Sequence, residues 1–101
     1  MMNSFGLPES IFADVIEVLR RYPEVTNAKI YGSRAKGNYK RYSDVDIAIF
    51  ANQECDLAQS VREALEDLDT IYYFDVLQYD KISNAEIKAH IDRVGVEILT
   101  S

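Results

Sequence analysis

The sequence Gly32-Ser33-Arg34-Ala35-Lys36-Gly37, followed by Ser43-Asp44-Val45-Asp46-Ile47-Ala48-Ile49, joins a tight basic turn to an apolar segment with two carboxylates. The residues before Gly32 are mostly apolar, which predicts a strand running into the turn. Glycine lets the backbone bend sharply and lets a ligand approach closely. The free N–H groups of a helix that begins at Ser33 would point outward and bind an anion. We therefore predict that this turn holds phosphate groups.

Basic side chains surround the turn. Arg34, Lys36, Lys40 and Arg41 fall within eight residues of a chain whose formal net charge is −6. Their positive charge could meet the outer phosphates of a nucleotide. A Gly-Ser turn with nearby cations is, by itself, more often an ordinary solvated loop. The phosphate-binding interpretation therefore depends on the residues that come after the turn.

The segment after the turn is predicted to be a strand with two acids on one face. Side chains alternate across a strand, so Asp44 and Asp46 share a face while the apolar residues between and after them point to the other. Two carboxylates ~4 Å apart repel each other by on the order of 4 kcal/mol at an effective dielectric of about 20. Mg²⁺, which typically uses one or two carboxylates together with substrate phosphates, would relieve this repulsion. Without the turn, the two acids could equally decorate the solvent side of a half-exposed strand.

A third acid interrupts another predicted strand. Tyr72-Tyr73-Phe74-Asp75-Val76-Leu77 is an aromatic and β-branched run with one carboxylate near its middle. If this strand lies beside residues 44–50, Asp75 completes a cluster of three carboxylates. It would then be a metal ligand, or the general base that takes a proton from an attacking hydroxyl.

The remaining sequence predicts three helices and a last strand. A broad apolar stripe predicts a helix from Pro8 to about Tyr22, and helical spacing predicts a second over 57–68 with Asp56 as its N-cap. Ser83-Asn84-Ala85-Glu86 has capping-box spacing and opens a third helix. In that helix Ile87, Ile91 and Val94 face inward, Gly95 is the C′ residue, and residues 96–99 form a short edge strand. With strands near 26–31, 44–50 and 72–77, the fold class is α/β (α+β), with helices packed on one face of a sheet.

Length and composition limit the other possibilities. A chain of 101 residues, 48% hydrophobic and without a long linker, is expected to form one domain over 1–101. Its negative charge argues against direct nucleic-acid binding. A single cysteine, Cys55, cannot form an internal disulfide, and no targeting or membrane-spanning segment is visible, so we expect a cytoplasmic protein.

Other reactive side chains favour structural interpretations. His90 has no cysteine or second histidine at ligand spacing, and Cys55 has no nearby histidine to activate it. Tyr39 and Tyr42 flank Lys40 and Arg41 in the loop. These tyrosines could stack on a base or simply anchor the loop on the domain edge, and the sequence does not decide between the two.

The turn, the segment Ser43-Asp44-Val45-Asp46-Ile47 and Asp75 together resemble the signature of the DNA polymerase β superfamily of nucleotidyltransferases. More narrowly, the chain resembles the small stand-alone minimal nucleotidyltransferase (MNT) domains. The resemblance implies that Asp44, Asp46 and Asp75 hold one or two Mg²⁺ ions on the open face of a mixed sheet. It also implies that Gly32, Ser33, Arg34 and Lys36 bind ATP, although Lys36 stands where the family often has arginine, with its bidentate fork.

The resemblance to MNT proteins also implies a partner. Such proteins commonly pair with a HEPN-type helical protein, as antitoxins that adenylylate or mask a ribonuclease. By this analogy the chain moves AMP from ATP to a hydroxyl, expected to be a tyrosine, of such a partner. Two alternatives stay open: a non-catalytic nucleotide-binding subunit that blocks its partner sterically, and an aminoglycoside-type transferase that modifies a small molecule.

Overall fold

The computed structural model describes residues 3–100, which contain four strands and four α-helices. The strands are β1 (Asn27–Tyr31), β2 (Val45–Phe50), β3 (Phe74–Gln78) and β4 (Val96–Thr100). The helices are α1 (Glu9–Arg20), α2 (Ser33–Lys36), α3 (Ala58–Glu66) and α4 (Ala85–Val94), and a 3₁₀ turn spans Tyr79–Lys81. The predicted order of elements is thereby confirmed, with boundaries that shift by at most two residues.

The strands form one mixed sheet in the order β3–β2–β1–β4. β1 runs antiparallel to both β2 and β4, whereas β2 and β3 are parallel and are joined by a crossover through α3. In this register Tyr31 pairs with Asp46, and Asp46 pairs with Asp75. The two segments that carry the predicted acids are therefore neighbours in the sheet.

Helices α1 and α3 cover one face of the sheet and build the main core with it. Leu19 of α1 and Leu65 of α3 pack there with Ile47, and none of the three has exposed surface. Full burial of such a side chain contributes roughly 1.5–3 kcal/mol. Apolar and polar residues alternate at the start of β2 because its odd-numbered side chains enter the core and its even-numbered side chains face the other way.

The second face is only partly covered. Ile91 of α4 is buried there with Tyr31 and Ala48, and Val94 packs beside them. The predicted mixed sheet with helices on one face is confirmed for α1 and α3, while α4 lies against part of the other face. Asp75 stays exposed and Asp46 is half-buried, so the acidic part of this face remains open.

The predicted helix caps need correction. Leu57, not Asp56, is the N-cap of α3, and its N–H donates to Oε1 of buried Gln78 at 3.0 Å. The side chain of Gln78, and not that of Asp56, thus accepts from the first N–H group at this end of the helix. Asn84, not Ser83, caps α4, since its side-chain oxygen accepts from the N–H groups of Glu86 at 2.8 Å and Ile87 at 3.2 Å.

Two details of α4 also differ from the prediction. Ile87 does not face the core: 38% of it is exposed, because it lines an open cavity with Leu77 and Ile82. Gly95 is the C-cap residue, in an extended conformation, rather than the residue after the cap. In the described part of the chain, no helix has both the length and the apolar character needed to cross a membrane.

Candidate active site

The turn after β1 brings the backbone against a carboxylate. Gly32 has φ 72° and ψ −153°, a conformation that is essentially restricted to glycine. A methyl group at this position would overlap Oδ2 of Asp46. The single helical turn α2 (Ser33–Lys36) is followed by its C-cap residue Gly37, whose N–H donates to the carbonyl of Ser33 at 2.9 Å. Glycine at position 32 thus gives the turn both its shape and its closeness to Asp46.

Three side chains form a row across the open face. Tyr31, Asp46 and Asp75 are register partners on β1, β2 and β3, and partners on adjacent strands lie ~5 Å apart. Asp44 is exposed and lies two residues before Asp46, directly ahead of β2. The sheet therefore brings Asp44, Asp46 and Asp75 to one end of the same face, next to the Gly32 turn.

The carboxylates influence one another electrostatically. Burial, followed by the negative charges of Asp75 and Asp44, raises the pKa of Asp46 to about 6, and the positive charge of Arg34 opposes this rise. Burial, together with Asp46 and Asp75, also raises the pKa of the Tyr31 hydroxyl. The fold therefore holds negative charges together at a cost, which a bound cation would reduce.

Among residues 3–100, no three His, Cys, Asp or Glu side chains are arranged as a complete metal-binding group. Mg²⁺ seldom needs one, because it keeps several waters and binds through one or two carboxylates plus substrate phosphates. The oxygen-only donors at Asp44, Asp46 and Asp75, with the mutual repulsion that raises the pKa of Asp46, fit such an ion.

Arg34 is not placed as predicted. Its side chain is 1% exposed and lies between the rings of Tyr39 and Tyr72, 5.2 and 5.1 Å from their centroids. Its guanidinium donates to the carbonyls of Phe5 at 2.8 Å and Ser43 at 2.9 Å, and at longer distances to those of Gly6 and Arg41. Since a buried guanidinium must satisfy its donors, Arg34 points at these carbonyls and not at the open face. It ties the N-terminal turn to the loop that leads into Asp44.

The other predicted residues lie in several places. Ser33 is half-buried and Lys36 is exposed, both on the α2 turn beside Asp46. Cys55 lies in the loop before α3 with a free thiol and is half-buried, and its backbone carbonyl accepts from the side chain of Gln78 at 2.9 Å. The His90 ring meets the Tyr31 ring edge-on, with 6.2 Å between centroids. This packing is what the structural interpretation of His90 predicts.

Tyr31 is the residue that the sequence interpretation missed. Its position in an apolar strand made it look like a core residue, and 7% of it is exposed. Its place beside Asp46 depends on the antiparallel register of β1 and β2. The one available signal was its position directly before Gly32.

Similar proteins add independent information. The family model "Polymerase beta, Nucleotidyltransferase" matches residues 13–101. A toxin–antitoxin crystal structure with AMP-PNP shares 23% identity over 89% of this chain and 73% of its own, with a TM-score of 0.69. The MntA–HepT toxin–antitoxin structure shares 19% identity over 93% of this chain and 74% of its own, with a TM-score of 0.63.

A third solved structure contains a tri-AMPylated HEPN toxin of Shewanella oneidensis with its MNT antitoxin. It shares 19% identity over 92% of this chain and 72% of its own, with a TM-score of 0.63. At these identities the structural similarity establishes the fold. No protein with a curated description matches the sequence. Because the family model spans most of the sequence and the fold agrees with it, the chain belongs to the polymerase β nucleotidyltransferase family.

Proposed function

We propose that this chain is a Mg²⁺-dependent nucleotidyltransferase that moves AMP from ATP to a tyrosine hydroxyl of a HEPN-type helical protein, and so acts as an antitoxin. The observation that carries the proposal is the row formed by Asp46 and Asp75 on neighbouring parallel strands, with Gly32 against Asp46. Family membership supports the transferase chemistry. The AMP-PNP and the AMPylated toxin found with two proteins of the same fold support the nucleotide and the acceptor.

Each residue of the site has a role in this reaction. The backbone N–H groups at Gly32 and Ser33 hold the outer phosphates, and the exposed Lys36 adds positive charge. Asp44 and Asp46 would hold Mg²⁺, which supplies charge stabilisation to the phosphates when bound. Asp75 is the general base: it takes the proton as the acceptor oxygen bonds to the α-phosphorus. The bond from that phosphorus to the bridging oxygen breaks, and pyrophosphate leaves.

Transfer to a purified HEPN-type partner tests the proposal. The partner is incubated with MgATP and this chain, and its mass is measured before and after proteolysis. We expect added AMP on a tyrosine with the wild type and with Asp69→Asn, which changes an exposed acid outside the site. We expect none with Asp44→Asn or Asp46→Asn.

Two outcomes would contradict this assignment. If the wild type adds no AMP to the partner, the protein adenylyltransferase function is wrong. If Asp46→Asn still neutralises the partner fully while adding no AMP, the chain is a steric inhibitor and catalysis is not its mode of action.

A further inference from the structure

The proposed general base lies on an edge strand between two open cavities. β3 is the outermost strand of the sheet, and Asp75 is its second residue. The first cavity, about 420 Å³, is lined by Gly6, Tyr39, Arg41, Ile71 and Tyr72, and we call it the tyrosine cavity. The second, about 340 Å³, lies past the other end of β3, where Leu77, Ile82 and Ile87 form its apolar wall.

Exposed apolar side chains gather along the same edge. Among the described residues, five large hydrophobic side chains are exposed: Tyr42 (72%), Ile71 (60%), Tyr73 (73%), Ile87 (38%) and Val96 (42%). Ile71 and Ile87 line the two cavities, and Tyr73 directly precedes β3. Tyr42 follows Arg41 of the tyrosine cavity in the chain, whereas Val96 lies on β4 at the opposite edge. From Ile71 to Leu77 an extended chain covers roughly 20 Å, a length that one docking protein can span. A concentration of this kind marks an interaction site.

The positive charge of the segment that contributes Tyr39 and Arg41 to the tyrosine cavity indicates the nature of the partner. Lys36, Lys40 and Arg41 are exposed, and no acid occurs between Gly32 and Ser43. The ion pairs found within residues 3–100 join Glu17 to Arg21 and Arg62 to Glu66, so these three cations have none. A basic patch on a chain with a net charge of −6 is complementary to an acidic surface.

We propose that the β3 edge is the docking surface for the protein that carries the acceptor hydroxyl. An apolar side chain of that partner enters the tyrosine cavity, and its acidic residues meet Lys40 and Arg41. The hydroxyl is thereby delivered to Asp75. This inference rests on the proposed function, which supplies the protein acceptor. Single-stranded RNA could also use tyrosines and arginine, but the net charge of the chain disfavours it.

Matched substitutions on the two sheet edges test the docking surface. Ile71→Arg and Val96→Arg place the same charged side chain at exposed positions near β3 and on β4 respectively, where neither is part of the main core. Arg41→Glu reverses one charge of the basic patch. Binding of the purified HEPN-type partner is measured by calorimetry, and the MgATP-induced rise in Tm reports nucleotide binding separately. We expect Ile71→Arg and Arg41→Glu to weaken partner binding by at least about tenfold, with no change for Val96→Arg.

The outcomes separate this inference from the proposed function. If the wild type transfers AMP but Ile71→Arg binds the partner as tightly as Val96→Arg does, the docking surface is assigned wrongly, while the proposed function is supported. If no AMP is transferred but Ile71→Arg and Arg41→Glu still weaken partner binding, the docking surface is assigned correctly and the proposed function is wrong. Two further results would overturn the surface: weakened binding of a uridine oligonucleotide with intact partner binding, or a change only in self-association on gel filtration.

Discussion

Replacing Gly32 by alanine should inactivate the enzyme through Asp46. The backbone there has φ 72° and ψ −153°, and holding a non-glycine residue in this conformation costs about 1–3 kcal/mol. In addition, the new methyl group would overlap Oδ2 of Asp46 and lie 3.3 Å from its Cγ. The carboxylate must therefore move. A misplacement of about 1 Å in a catalytic arrangement can cost on the order of 100-fold in rate.

Gly37 offers a matched control on the same turn. It has φ 86° and ψ 2°, so Gly37→Ala also forces a side chain into the left-handed region, at a cost of about 1–2 kcal/mol. A methyl group at this position meets no atom within 4 Å. Both variants should therefore lose stability, Gly32→Ala the more because its methyl group also meets Asp46, and 1 kcal/mol lowers the Tm of a domain of this size by ~4–8 °C. They should differ in activity, because only Gly32→Ala displaces Asp46.

The assay is AMP transfer to the partner at a temperature well below both transitions, with urea unfolding to verify the fold. We expect Gly32→Ala to lose on the order of 100-fold in rate and Gly37→Ala to stay near the wild type. Equal loss in both variants would show that the turn as a whole is needed. Full activity of Gly32→Ala would refute the reasoning that the contact between Gly32 and Asp46 positions the carboxylate.

Three further predictions use the same site. Since the pKa of Asp46 rises from 3.8 to about 6 in the fold, the metal-free native state binds this proton more tightly than the unfolded chain does, and stability falls as pH rises through that interval. Asp46→Asn should remove this loss of stability, so that in EDTA at pH 8 its Tm is higher than that of the wild type. If the Tm of the two proteins depends on pH in the same way, this reasoning is wrong. Arg34→Lys should lower the free energy of unfolding, measured by urea titration, by about 3 kcal/mol, because roughly two charge-assisted hydrogen bonds are lost. The control Arg62→Lys, at an exposed ion pair, should change it by less than about 0.5 kcal/mol. MgATP at about 100 times its Kd should stabilise the wild type by about 2.7 kcal/mol, and Asp44→Asn should reduce this gain; no gain with the wild type would argue against a nucleotide site.

The buried arginine shows where sequence reasoning reaches its limit. Arg34 lies among other cations beside a turn of the phosphate-binding type, and its charge led to the prediction that it binds the nucleotide together with Lys36. Its actual partners include the carbonyls of Phe5 and Gly6, which are 29 and 28 residues away in the chain. A side chain with five donors satisfies them wherever folding brings carbonyls together, and that place cannot be read from neighbouring residues.

The sequence by itself determined the local features of this protein. Glycine at position 32 permits a backbone conformation that other residues avoid, alternation puts Asp44 and Asp46 on one side of β2, and apolar periodicity makes α1 and α3 helical. These features follow from steric and hydrophobic preferences within a few residues. The tertiary structure alone decided that Asp75 lies next to Asp46, that Tyr31 lies on the other side, and that the β3 edge stays open. Strand order and register decide such contacts, because they depend on how distant segments pack into one core.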